Sequence, residues 1–357
     1  MKVALLAGST YSDATTHSVF TGLRSAYERA GHEAWVVSRP GSGDGLAFPP
    51  ESAERLLILD APPLRLPVQL WGILRRRRIE VVHLHFSGWF RSWHLGLLPL
   101  TRLSSCRWVV TFQDFGHPEL PPNDGWRAAA LGLLLDRAGA VTAVSDFLKA
   151  RITRSLPGLD GRIRTVYNGV PDPGGPGPAG TGPSGRPYIL SVGRLAPYKG
   201  TDLLLMAFAK LERPDLDLIL CGAPFHGSHI AGLIHALGLR DRVRLTGLRP
   251  QAEVRALMKG CLFYAAAPRA ETFGMAAAEA LSCGKAVVAT RTGAIPELVT
   301  DGVNGLLAEP KDVDSLAAKL RLLAGDPLLR RSLEKRAAES AERFRWERIA
   351  EEYLRVY

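Results

Sequence analysis

Short apolar runs alternate with helical stretches along the whole chain, and the alternation is broken once, by a run of Gly, Pro and Ser between Val170 and Pro187. No other feature constrains the fold as strongly. Apolar strands joined by helices cover both faces of a sheet, and the stable solution is a parallel α/β layer. Before the break, strands are predicted at Lys2–Ala7, Ala34–Ser38, Val81–Phe86, Trp108–Phe112, Ala140–Val144 and Arg164–Tyr167, with helices over Val19–Ala30 and Trp126–Ala138. After it, strands are predicted at Tyr188–Val192, Leu216–Cys221, Val243–Thr246, Cys261–Ala266 and Ala286–Ala289. A helix running to Leu211 takes Asp202 as its cap, and helices dominate beyond Asp312. Proline blocks both helix and strand, so residues 170–187 read as a linker between an N-terminal domain, 1–169, and a C-terminal domain beginning at Tyr188. A chain of 357 residues suits two such domains better than one.

Composition removes several classes. With 46% hydrophobic and 22% charged residues the chain has material for a core and is not a disordered segment. No run of about 18 apolar residues is present to span a membrane. Met1–Thr10 reads as a first buried strand rather than a signal peptide. Cys106, Cys221, Cys261 and Cys283 show no metal-ligand spacing, and a reducing cytoplasm is the expected setting. The net charge of +10 is spread over both halves apart from Arg75–Arg78, at the end of a predicted helix. That run is either a solvated helix terminus or a contact for an anionic membrane face. No nucleic-acid-binding module accompanies it.

Four features carry chemistry. Gly193-Arg194-Leu195-Ala196-Pro197-Tyr198-Lys199-Gly200 follows a strand directly, where open α/β sheets bind ligands, and its two cations suit an anionic group. Glu271-Thr272-Phe273-Gly274-Met275-Ala276-Ala277-Ala278-Glu279 places one carboxylate before a helix start and one about a turn inside it. Backbone N–H groups at such a start favour phosphate, and the flanking carboxylates suit sugar hydroxyls. Thr292-Gly293-Ala294-Ile295-Pro296-Glu297 is a strand-to-helix turn. Gly8-Ser9-Thr10 follows the first strand without forming G-x-G-x-x-G, so the dinucleotide fingerprint and a dehydrogenase are disfavoured. No His/Cys cluster suggests a metal, and no cofactor is expected.

Together these residues resemble the retaining glycosyltransferases of family 4, which have the GT-B fold: two Rossmann-like parallel-sheet domains facing a central cleft. The resemblance rests on GR…KG, the two glutamates with seven residues between, the G-x-P-E turn, Asn168-Gly169-Val170 and the terminal segment Trp346–Tyr353. It implies a donor-binding domain over 188–340 and a final segment, 341–357, packing back on an acceptor-binding domain. It implies that Arg194 and Lys199 hold the donor diphosphate, that Glu271 touches the transferred sugar and that Glu279 holds the ribose. Gly193, Phe273, Gly274, Met275 and Ala276 would line the donor, and Gly8 would approach the phosphate from the first domain. The implied activity is transfer of a sugar from a nucleoside diphosphate donor, UDP-sugar rather than GDP-sugar, to an acceptor hydroxyl, with retention and without metal.

One departure stands out. Where many relatives carry His after the strand Trp108–Phe112, this chain has Gln113, which cannot act as a base. Gln113, His85 near its strand's end, and Trp89 in the aromatic segment Phe86–Trp93 are the candidates for sugar or acceptor contacts, whereas His83 reads as core. Two rival readings are a GT-B sugar-nucleotide epimerase and a non-catalytic subunit that binds a sugar nucleotide.

Overall fold

The computed structural model describes residues 1–7, 14–38, 55–59, 65–87, 92–114, 125–174, 180–182, 184–224 and 229–357. The chain forms two compact units, one of Met1–Gly169 with Trp346–Tyr357 and one of Val170–Arg345.

The first unit contains β1 (Lys2–Ala7), α1 (Ala14–Arg29), β2 (Glu33–Ser38), β3 (Leu56–Ile58), α2 (Leu66–Arg77), β4 (Val81–Phe86), α3 (Ser92–Leu95) and α4 (Leu97–Leu103). It continues with β5 (Arg107–Phe112), α5 (Trp126–Leu135), β6 (Ala140–Ala143), α6 (Asp146–Ser155) and β7 (Ile163–Thr165). Its sheet has the order β3-β2-β1-β4-β5-β6-β7, all parallel. β4 is buried at every position, as a central strand covered on both faces must be. Ser145 caps α6 by accepting from the Leu148 amide at 3.0 Å.

The second unit contains β8 (Tyr188–Val192), α7 (Thr201–Ala209), β9 (Asp217–Cys221), α8 (Ile230–Ala236), β10 (Val243–Gly247), α9 (Gln251–Gly260), β11 (Phe263–Ala266) and α10 (Met275–Ser282). Then come β12 (Val287–Thr290), α11 (Ile295–Leu298), β13 (Gly305–Ala308), α12 (Val313–Gly325) and α13 (Pro327–Ala341). The order is β10-β9-β8-β11-β12-β13, again all parallel. Its core is apolar, with Ile189, Leu204, Leu218, Leu220, Phe208 and Phe263 sealed from solvent. Within the Gly/Pro/Ser run, the Gly180 amide bonds to the Gly260 carbonyl and the Gly182 amide to the Arg186 carbonyl.

The last helix, α14 (Trp346–Val356), belongs to the first unit. It buries Trp346, Ile349, Ala350, Tyr353 and Val356, a single helical stripe. The Trp346 indole lies against Gly22 and Gly169, where a Cβ would fall 2.1 and 2.3 Å from its atoms. Only glycine at both positions leaves room for the ring. Tyr357 then hydrogen-bonds Tyr27 and His83, each at 2.6 Å.

Several sequence expectations need correction. β3 and β13 were not predicted. β3 is a partly exposed edge strand whose apolar run, Leu56–Ile58, spans only three residues and so reads as a loop, and β13 is four residues placed just after the turn residues Asp301, Gly302 and Asn304. β7 covers Ile163–Thr165 rather than Arg164–Tyr167. α1 begins at Ala14, because the polar Thr15-Thr16-His17-Ser18 carries no apolar period by which to recognise its first turn. Asp202 does not cap α7; the helix starts from Gly200, and the Asp202 side chain is engaged elsewhere.

Candidate functional site

In each sheet the strand order reverses once, between β1 and β4 and between β8 and β11. Neighbouring strands there send their following segments to opposite faces, which opens a crevice beyond their carboxyl ends. In the second unit the segments flanking this crevice are 193–200, after β8, and 267–274, after β11. They contain Gly193, Arg194, Lys199, Glu271, Phe273 and Gly274 of the residues singled out from sequence.

These two segments are fastened together by backbone as well as side chains. Gly200 has φ 63°, and a Cβ on it would lie 1.8 Å from the Ala267 carbonyl oxygen. The Arg269 amide donates to the Tyr198 carbonyl at 2.8 Å. Lys199 Nζ reaches Glu271 Oε2 at 2.7 Å, both side chains being largely shielded from water. Burial opposes the ammonium's charge, yet the Glu271 carboxylate outweighs it and holds the Lys199 pKa above its ordinary value. Arg194 is exposed on the same segment, near enough to repel Lys199 weakly. Gly193 is bonded through its amide to the Cys221 carbonyl.

Glu271 is held from the other side by the Thr292–Glu297 turn. Gly293 has φ 58°, a Cβ there would lie 2.0 Å from the Glu271 carbonyl oxygen, and the Ala294 amide donates to that oxygen at 3.0 Å. The turn thus serves to place Glu271. Gly274, φ 104°, opens α10, which has no side-chain cap, so the first-turn amides of Met275 and Ala276 remain available to an anion. The Phe273 side chain is buried against Phe344, leaving only its backbone for the site.

Glu279 lies a turn further along α10, half-buried, and accepts from Gln251 Nε2 at 3.2 Å. Burial pushes its pKa up to about 7 from an ordinary 4.5. An acid raised by folding binds more protons folded than unfolded between those values, so its contribution to stability is lost as pH rises from about 4.5 through about 7. Glu279→Gln is therefore expected to raise Tm relative to the parent at pH 8 and to change it less at pH 5. A larger gain at pH 5 would contradict this assignment.

In the first unit, Gln113 follows β5 and forms a reciprocal amide pair with Asn168, at 3.1 and 2.8 Å. Its Nε2 also lies 3.0 Å from His85 Nδ1. Burial drives the His85 pKa down to about 3, so the ring is neutral at physiological pH. With Nδ1 accepting, the proton resides on Nε2, a buried atom with no hydrogen-bond partner among the described residues. His83, sealed from solvent between Tyr357 and Thr111, is core. Gly8 and Trp89 lie outside the described residues. Sequence reasoning missed Arg269 and Gln251, and it named Asn168 only within Asn168-Gly169-Val170; Arg269, two residues before Glu271, had the strongest signal.

Comparison with known proteins bears on this arrangement. Residues 18–172 match the family described as Glycosyltransferase Family 4, and residues 179–340 match Glycosyl transferases group 1. The alpha-maltose-1-phosphate synthase of Mycolicibacterium smegmatis is 30% identical over 78% of this chain and 78% of its own. The chain belongs to glycosyltransferase family 4. An uncharacterized glycosyltransferase of Methanocaldococcus jannaschii is 31% identical over 61% of this chain, a match spanning 58% of that relative's length. Among solved structures, sucrose-phosphate synthase from Thermosynechococcus elongatus superposes with a TM-score of 0.82 at 22% identity, covering 100% of this chain and 98% of that one. Anabaena HepE in complex with UDP-glucose gives 0.80 at 22% identity over 99% and 98%. These likenesses give this family 4 chain the GT-B fold.

Proposed function

We propose that the protein is a retaining glycosyltransferase that moves a sugar from a UDP-sugar to an acceptor hydroxyl without a metal ion. The observation that carries this reading is the Lys199–Glu271 pair, 2.7 Å apart at the β8/β11 switch point, beside the uncapped start of α10. In the transfer the bond from the anomeric carbon to the β-phosphate oxygen breaks, and its electrons leave with the diphosphate. The acceptor oxygen bonds the same carbon and gives up its proton. The charge that grows is on the leaving diphosphate, and fixed cations and helix amides facing it stabilise the transition state more than the ground state. Lys199, Arg194 and the Met275 and Ala276 amides supply that field. Glu271 orients the sugar through its hydroxyls, and Glu279 takes the ribose diol.

UDP is taken as the nucleotide because Anabaena HepE, which shares this fold, binds UDP-glucose. The N-terminal unit, with His85 and Gln113, is assigned to the acceptor side. Neutral His85 and Gln113 offer hydrogen bonds to hydroxyls rather than base catalysis, which suits a reaction whose departing diphosphate accepts the acceptor's proton. Gln113 is the feature that speaks for a binding subunit, and the intact Arg194, Lys199, Glu271 and Glu279 speak against it; the epimerase reading is not favoured.

The test is a thermal-shift panel of UDP-, GDP- and ADP-sugars followed by product analysis. The true donor stabilises the fold by mass action, about 2.7 kcal/mol at a hundredfold excess over Kd. A UDP-sugar is expected to give the largest shift, and turnover is expected to persist in EDTA. Absence of any sugar-nucleotide shift, or an absolute need for Mn²⁺, would overturn the reading.

A further inference from the structure

Arg269 is placed unlike any other cation near the site. Its guanidinium takes both oxygens of Asp202, at 2.7 and 2.6 Å, and Nη1 also donates to the Pro197 carbonyl at 2.7 Å. Its own amide holds the Tyr198 carbonyl at 2.8 Å. Four contacts from one residue on the segment after β11 thus fix Pro197, Tyr198 and Asp202, which flank Lys199 on both sides. Three donors used in one plane is a guanidinium geometry that a lysine ammonium cannot reproduce. The pair lies on the partly exposed rim, so its contribution to global stability is small. Its effect is local: it sets where the Lys199 backbone stands relative to Glu271, two residues downstream of Arg269 itself.

We propose that Arg269, clamped by Asp202, is a positioning residue that holds the Lys199 ammonium in register with Glu271 and hence with the donor diphosphate. It touches no substrate and acts through Lys199. The inference rests on the donor-binding reading above for its catalytic consequence, but the placement of Lys199 can be read without any donor.

Two measurements on the full chain test it. In the first, lysine acylation is followed by peptide mass spectrometry, with the exposed Lys335 as internal reference. In the parent protein the paired, shielded Lys199 reacts slowly; in Arg269→Ala its rate relative to Lys335 is expected to rise several-fold, and in Asp202→Asn to rise less. Asp202→Asn keeps Arg269 and its Pro197 contact, so it remains informative should Arg269→Ala fold poorly. In the second, kcat for UDP-sugar turnover is measured in a double-mutant cycle with Lys199→Ala. Misplacing a reacting group by about 1 Å costs on the order of 10²-fold, so Arg269→Ala alone is expected to lower kcat by roughly that factor. In the Lys199→Ala background it is expected to cost almost nothing more, because the group it positions is gone. Unchanged Lys199 labelling in both variants, or an equal loss of kcat in both backgrounds, would overturn the inference. Labelling that rises as expected in a chain that turns over no sugar nucleotide would uphold the placement and remove the functional reading instead.

Discussion

Lys199→Ala is expected to lower kcat by on the order of 10² to 10³-fold, the range found when one preorganised donor to a developing anion is removed. Lys199 is the cation held in place at the switch point, whereas Arg194 is exposed and more strongly screened. The substitution also leaves the Glu271 carboxylate, 14% exposed, without its partner. A fall in Tm is therefore expected alongside the fall in kcat, and the double variant with Glu271→Gln should recover stability but not turnover. Lys199→Arg is not a conservative replacement, because a planar fork does not occupy the place of a compact ammonium. Steady-state release of UDP from the donor, with Tm measured on each variant, checks all of these. Turnover of Lys199→Ala within a few-fold of the parent would show that the diphosphate is held elsewhere.

Gly200→Ala is expected to be nearly as damaging, for a steric reason. At φ 63° any side chain is strained, by roughly 1–2 kcal/mol. Beyond that, its Cβ would lie 1.8 Å from the Ala267 carbonyl oxygen, a backbone atom that cannot rotate away. The 193–200 and 267–274 segments must then part, and Lys199 and Glu271 with them. Gly238→Ala is the control, because Gly238 has φ 67° but nothing within 4 Å of its added Cβ. Both variants should lose some stability by thermal melting. Only Gly200→Ala is expected to lose most of its activity at a temperature where it remains folded. Equal activities in the two would mean that the close approach of the segments does not matter to the site.

The fold class was legible in the sequence because parallel sheets write themselves as repeated apolar runs, and those runs are long enough in β1, β4 and β8 to be located to the residue. The edge strands β3 and β13 were not legible: a strand of only three or four residues, apolar though it is, has no period to tell it from a loop until its neighbour is known. The motif residues could be named from their spacing, since Gly193–Gly200 and Glu271–Glu279 are local patterns.

What joins those patterns is not local. That Lys199 meets Glu271, 72 residues away in the chain, depends on β8 lying beside β11, which only the strand order decides. Asp202 read as a helix cap because its position one residue after Thr201 permits that role. The tertiary structure gave it to Arg269 instead, since a bidentate charged partner outcompetes a backbone amide. His85 shows the same division. Its place on β4 was visible in the sequence, but its neutral state and the atom that carries its proton follow from burial and from Gln113, residues brought to it by the sheet. Sequence determines which groups are present and which local geometry each prefers; long-range packing determines their partners, and with them their charge.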